Sequence, residues 1–198
     1  MAGKIHFGNI LKKISKSSKF KKEMNSMVSK KINELKEQTL KEFDDHEITR
    51  EIEGGADAAN SSGTLGGYGN LFTFIGFSSA STPIPPLRRT IEDAISFKLL
   101  RSIELSKRKK IKLNYKVSMP SEGEVHNASP MPWDAGSWVE GVEYGMSNFS
   151  YYMYKRFERG RSGYGLQADQ ELRRAIFSPR TYVTGILTNF RNNLKKIK

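Results

Sequence analysis

The chain has no cysteine among its 198 residues, which excludes a disulfide framework and any thiolate metal site. Long apolar runs are also missing. Nothing approaches the ~18 consecutive apolar residues of a membrane span, and the basic stretch before Ile14 lacks the continuous apolar core of a secretory leader. The expectation is a soluble chain made inside a cell, with no membrane partner. Three histidines, His6, His46 and His126, share no spacing that would make a zinc site. The run Gly63-Thr64-Leu65-Gly66-Gly67-Tyr68-Gly69 lacks the Gly-Lys-Ser/Thr ending of a phosphate loop. No serine sits in a nucleophile elbow, and the neighbouring carboxylates Glu122 with Glu124, and Glu140 with Glu143, read as surface charge. Asp44-Asp45-His46-Glu47 is rich in ligand atoms, but adjacent side chains diverge on a helix, so it reads as a solvated helix end. Neither an enzyme nor a cofactor is expected.

The most informative absence is of charge. Asp, Glu, Lys and Arg make up 27% of the chain, yet none of them occurs between Ala58 and Leu87. A stretch rich in glycine, serine and aromatics cannot be an ordinary solvated helix face, so it is either packed against the rest of the chain or pressed against a partner. Its centre, Leu71-Phe72-Thr73-Phe74-Ile75-Gly76-Phe77, reads as a strand fed by the flexible glycine loop before it.

Charge elsewhere comes in blocks. Residues 1–41 carry +8, residues 42–60 carry −6 and residues 87–116 carry +7, within a net charge of +12. Such an excess favours polyanionic partners without dictating a fold.

Apolar periodicity supplies the elements. A stripe from Phe20 through Met24, Met27, Val28, Ile32, Leu35 and Phe43 predicts a long helix over 20–44, following a basic arm over 1–18. Residues 51–69 read as a glycine-rich loop, and Pro86 can open a short helix over 87–97. Ile111, Leu113, Tyr115, Val117 and Met119 alternate with polar residues, and Arg101, Ile103 and Leu105 approach them across Lys107-Arg108-Lys109-Lys110. That pattern is a hairpin with one buried face and a basic tip, which reads equally as a phosphate-contacting loop or as a solvated turn. A second loop covers 120–137. A helix from Trp138, capped by Ser137, continues the stripe to Met153, with the aromatic cluster Phe149, Tyr151, Tyr152, Tyr154 and Phe157 beyond its start. A closing helix follows Ser178-Pro179. The fold class is α+β in one domain over 1–198: a small antiparallel sheet with a central hairpin, packed by long N-terminal, middle and C-terminal helices.

This order of parts resembles the neck and tail-completion proteins of tailed bacteriophages, small ring-forming proteins between portal and tail. The resemblance rests on the long basic N-terminal helix, the Ser62 to Gly66 segment, the hairpin from Arg101 to Met119, the segment Pro130 to Trp138, and the helix from Thr181 to Ile197. It implies a non-enzymatic virion protein, assembled in the host cytoplasm into a ring of its own copies. Its partners would be portal or connector proteins, tail proteins and, non-specifically, passing double-stranded DNA. Leu65, Tyr68, Leu71, Phe72, Phe74, Phe77, Trp133 and Trp138 would then form subunit contacts, while Lys107, Arg108, Lys109 and Lys110 would meet DNA or an acidic partner. A tail terminator or other tail structural protein is a close alternative, and a basic nucleic-acid-binding protein is one of a different class.

Overall fold

The computed structural model describes residues 13–14, 17–65, 69–105, 111–132, 135–145 and 177–196, with only the backbone of 101–105 and 112. The expected arm over 1–18, Tyr68, the hairpin tip, Trp133 and the aromatic cluster over 149–157 lie largely or wholly outside that set.

Helix α1, Ser18–Asp45, covers the predicted helix, but Met27 of its expected stripe is exposed and only the C-terminal half enters the core, through Ile32, Thr39, Leu40 and Phe43. Acids in its last turn oppose the helix dipole, and His46 breaks the helix with an extended backbone (φ −65°, ψ 136°). Helix α2, Glu47–Glu53, starts at once, because the His46 imidazole accepts the Ile48 N–H as an N-cap. Residues 51–53 are therefore helical, and the glycine-rich loop begins only at Gly54.

The charge-free core is helix α3, Leu71–Ile75, rather than a strand. A short apolar run has no periodicity to distinguish the two states, and here the ends decide. The Asn70 side chain accepts the Thr73 N–H at 2.9 Å, and Gly76 closes the turn in the left-handed region (φ +86°), which costs other residues about 1–2 kcal/mol. Helix α4, Ile84–Ala94, starts three residues earlier than expected, with prolines in its first turn where no N–H is missed. It also ends earlier, because Ser96 and Phe97 belong to the sheet.

Strands β1, Ser96–Leu105, and β2, Ile111–Ser118, pair antiparallel as a hairpin, with a bulge in β1 between Leu99 and Ile103. Among the described residues these two strands are the whole sheet. The second expected loop contains helix α5, Glu122–Asn127, whose capping box is reciprocal: Glu124 N–H donates to the Ser121 hydroxyl, and Ser121 N–H to the Glu124 carboxylate.

Helix α6, Trp138–Tyr144, is capped by Ser137 as predicted and closes at Gly145 (φ +103°), and the expected continuation of its stripe to Met153 lies outside the described residues. Helix α7, Val183–Lys196, begins later than Ser178-Pro179 predicts. Its cap comes from another helix. Glu143 of α6 accepts the N–H groups of Tyr182 and Thr184 and the Thr184 hydroxyl, all on Oε1, at 2.8–2.9 Å.

The elements share one core, running from Leu40 and Phe43 of α1 through α2, α3, α4 and α6 to Ile186 and Phe190 of α7. Aromatic rings connect its parts. Tyr182 stacks on Phe43 (5.8 Å), Trp138 lies 6.1 Å from Tyr182, and Phe77 meets Trp138 edge-on. Each such fully buried side chain contributes about 1.5–3 kcal/mol of apolar transfer. The architecture is α+β, seven helices and a two-stranded antiparallel sheet among the described residues.

Candidate functional site

Two regions compete for a functional role: the charge-free segment and the hairpin. The first is inside. Leu65, Leu71, Phe72 and Phe74 are 7% exposed or less, Trp138 is fully buried, and Phe77 is partly buried against the same core. Phe74 stacks on Phe177 at 5.8 Å and Phe72 lies tilted against Phe77 at 5.3 Å, so these rings contact their own chain. The side chains expected at a subunit interface are thus packed within the single chain rather than displayed on its surface. Tyr68 and Trp133 fall outside the described residues.

What holds the segment inside is a charge that precedes it. Glu51, on α2 and 1% exposed, accepts the Ser62 N–H (2.8 Å) on one carboxylate oxygen and the Leu71 N–H (2.7 Å) on the other. Asn70 ties the same loop to the carbonyls of Ala56 and Ala58, and Ser178 N–H donates to the Thr64 carbonyl. A loop carrying its own backbone donors cannot be buried without acceptors, and Glu51 supplies two of them. The sequence signal was available: a lone acid on the apolar side of a helix, next to Ile48 and Ile52, just ahead of a stretch with no charge to pair it.

The hairpin is the opposite case. Odd-numbered residues pair across it as Phe97 with Val117, Leu99 with Tyr115, Ile103 with Leu113 and Leu105 with Ile111, giving one apolar face. That face is half covered rather than buried. Ile111, Leu113, Tyr115 and Val117 all keep partial exposure. Val117 packs against the main core, the Tyr115 hydroxyl reaches the N-terminal half of α1 by donating to Asn25 at 3.0 Å, and burial raises the Tyr115 pKa. The other face pairs Ser96 with Ser118, Lys98 with Lys116 and Glu104 with Lys112. Leu100, at the bulge, is 43% exposed. The strand ends carry the tip, Lys107 to Lys110, outside the described residues.

A cleft of about 810 Å³ opens beside His46, lined by Glu42, Asp45, Glu47, Pro179 and Arg180 among others. Its groups are already committed. Asp45 pairs with Arg50, Glu47 lies 3.9 Å from Arg180, and Glu42 accepts from Asn189 at 2.6 Å. Asp44 turns away to a two-point pair with Arg88 (2.8 and 3.0 Å), joining α1 to α4. The three acids of Asp44-Asp45-His46-Glu47 are thus split among three arginines, and no cluster among the described residues could hold a metal ion. His46 lies 4.8 Å from the Tyr182 ring, and burial lowers its pKa. The Tyr182 hydroxyl is fully buried on Thr49 (2.7 Å), and burial raises its pKa strongly.

No family model, curated protein or solved structure matches the chain. Function must therefore be argued from these surfaces. No helix among the described residues is long and apolar enough to cross a membrane. Sequence reasoning missed the two buried carboxylates, Glu51 and Glu143, and the opposed lysines of the hairpin. Glu143 gave no local signal, because the N–H groups it caps lie about forty residues downstream.

Proposed function

We propose that this chain is a non-enzymatic structural protein of a tailed-phage virion, part of the neck or head-to-tail junction or of a tail-completion ring. In this reading copies of the chain pack around the DNA channel and join portal or connector proteins to tail proteins. The observation that carries it is the hairpin: a sheet of two strands among the described residues, of ten and eight residues, with a half-covered apolar face and an exposed leucine. An open strand edge of that length is a template for pairing with another chain, and a closed ring is a way to occupy it. The subunit contact is assigned to the hairpin and the N-terminal half of α1, because the aromatic segment is used internally. Glu51, Thr49 and Tyr182 are buried and bonded within the fold, which suits a scaffold, while the buried Trp138 indole N–H and Asn60 amide nitrogen have no hydrogen-bond partner among the described residues.

The same observations suit a tail terminator or another tail structural component. A free nucleic-acid-binding protein is the reading of a different class, favoured by the net charge of +12. The deciding experiment is mass spectrometry of purified particles, followed by antibody labelling of the intact virion. The expected result is the chain present in particles and label confined to the head-to-tail junction. A chain found in infected-cell lysate but absent from particles overturns the proposal and leaves the nucleic-acid reading.

A further inference from the structure

Across the hairpin, the register places Lys98 directly opposite Lys116, and both side chains are exposed. Opposed residues on one face of an antiparallel pair hold their Cβ atoms about 4.5–5.5 Å apart, where like charges repel. The next polar pair toward the tip, Glu104 with Lys112, has opposite signs, so the register itself does not demand two cations. Neither Lys98 nor Lys116 has an ion-pair partner among the described residues. On the other side of this pair stand Ser96 and Ser118, whose exposed hydroxyls are also phosphate donors. The hairpin from Ser96 to Ser118 carries eight Lys or Arg and one Glu, whereas residues 32–95 carry a net charge of −6. The net positive charge of the chain thus falls largely within the sequence of this ribbon and of residues 1–31.

We infer that the polar face of the hairpin is a contact surface for the phosphate backbone of duplex nucleic acid, with Lys98 and Lys116 clamping one stretch of backbone between them. An anion between the two ammonium groups converts a repulsive pair into an attractive triad. A two-stranded ribbon has the width that the major groove, about 12 Å, admits. The bulge in β1 increases the local twist, which lets the ribbon follow a curved backbone instead of lying flat against it. Lysines act as point charges without the planar fork that reads guanine edges, so the contact is independent of sequence. The inference deepens the neck reading and rests on its placing DNA within reach of the hairpin.

The test uses the full chain and a random-sequence DNA duplex, with binding followed by fluorescence anisotropy between ~0.05 and ~0.3 M salt. Each lost phosphate contact lowers the log–log salt slope by about 0.9, so K98Q/K116Q should lower it by about 1.8 and weaken binding on the order of 60-fold at 0.1 M salt. K98R/K116R keeps the slope. K41Q/R89Q removes two exposed charges from α1 and α4 and should leave the slope unchanged. Equal losses in K98Q/K116Q and K41Q/R89Q overturn the clamp in favour of overall charge. No loss in K98Q/K116Q overturns it outright, as does displacement of the duplex by polyglutamate at equal charge concentration, which assigns the lysines to an acidic protein. A K98Q/K116Q chain that melts below wild type removes the argument from like-charge repulsion. The neck proposal fails separately: a chain absent from particles leaves the anisotropy result standing, and an unchanged slope removes the clamp alone.

Discussion

The charge-free segment and the hairpin are neighbours in sequence and differ in how they treat water. Between Ala58 and Leu87 the chain discards every charge, and Glu51 supplies the acceptors that let an aromatic loop and a one-turn helix go inside. From Ser96 to Ser118 the chain keeps one apolar face only half covered and places two lysines opposite each other on the other. A lack of charge is thus the mark of an interior here, and the lysines, unpaired among the described residues, face outward, on the surface to which the proposed contact is assigned. The aromatic segment, which looks adhesive in sequence, is spent on the fold. The hairpin is what remains available.

The largest effect on this comparison should come from removing the acid that closes the first region. Glu51→Ala leaves two buried backbone N–H groups without acceptors, each costing about 1–3 kcal/mol, so a loss of roughly 4 kcal/mol is expected. Urea unfolding at pH 7 would show it as a lower midpoint, and Glu51→Gln, which keeps one acceptor oxygen, should lose less than half as much. If Glu51→Ala unfolds within 1 kcal/mol of wild type, the carboxylate is not what holds the segment inside.

A smaller loss is expected at the end of α3. Gly76 closes that helix at φ +86°, a conformation that costs an alanine about 1–2 kcal/mol. Gly76→Ala should lower the urea midpoint by that amount with an unchanged slope. An unchanged midpoint would mean that the turn can open without cost, and that a strand over Leu71 to Phe77 is within reach after all.

These two positions also show what a sequence can reveal here. The long helix, the hairpin, the Ser137 cap and the α+β class were legible because each depends on neighbours a few residues apart. The state of Leu71 to Phe77 was not, since an apolar run of that length buries equally well as helix or strand and Asn70 with Gly76 decides by capping. The start of α7 was read from Ser178-Pro179, a local signal overruled by Glu143 from α6. The opposed lysines became visible only with the strand register, which shifts by two residues at the bulge.

On the hairpin the expected effects concern association and leave stability almost untouched. Leu100 is exposed at the bulge, and Leu100→Lys should change stability by no more than about 0.5 kcal/mol, as surface substitutions do. Under the ring proposal the same change should abolish assembly, read by native mass spectrometry and by loss of the chain from particles. Normal incorporation of Leu100→Lys would take the subunit contact away from this part of the hairpin.

The smallest effect sits at the joint between α1 and α2, and it depends on pH. His46 is half-buried against Tyr182, and its Nδ1 accepts the Ile48 N–H at 3.3 Å, so the folded state needs that nitrogen unprotonated. Burial lowers its pKa; Glu47, Glu42 and Glu143 pull it back up, while Arg180 pushes it further down. An unfolded imidazole takes its proton near the ordinary value of about 6.5, before the folded one does. The contribution of His46 is therefore complete above about pH 6.5 and is lost as the pH falls through that value toward the lower folded one. His46→Asn keeps a cap acceptor that does not titrate. The drop in urea midpoint between about pH 7.5 and about pH 5.5 should shrink in this variant, because the capping carboxylate of Glu124 titrates well below that window. An equal drop in variant and wild type would place the acid sensitivity of the fold elsewhere than at this cap.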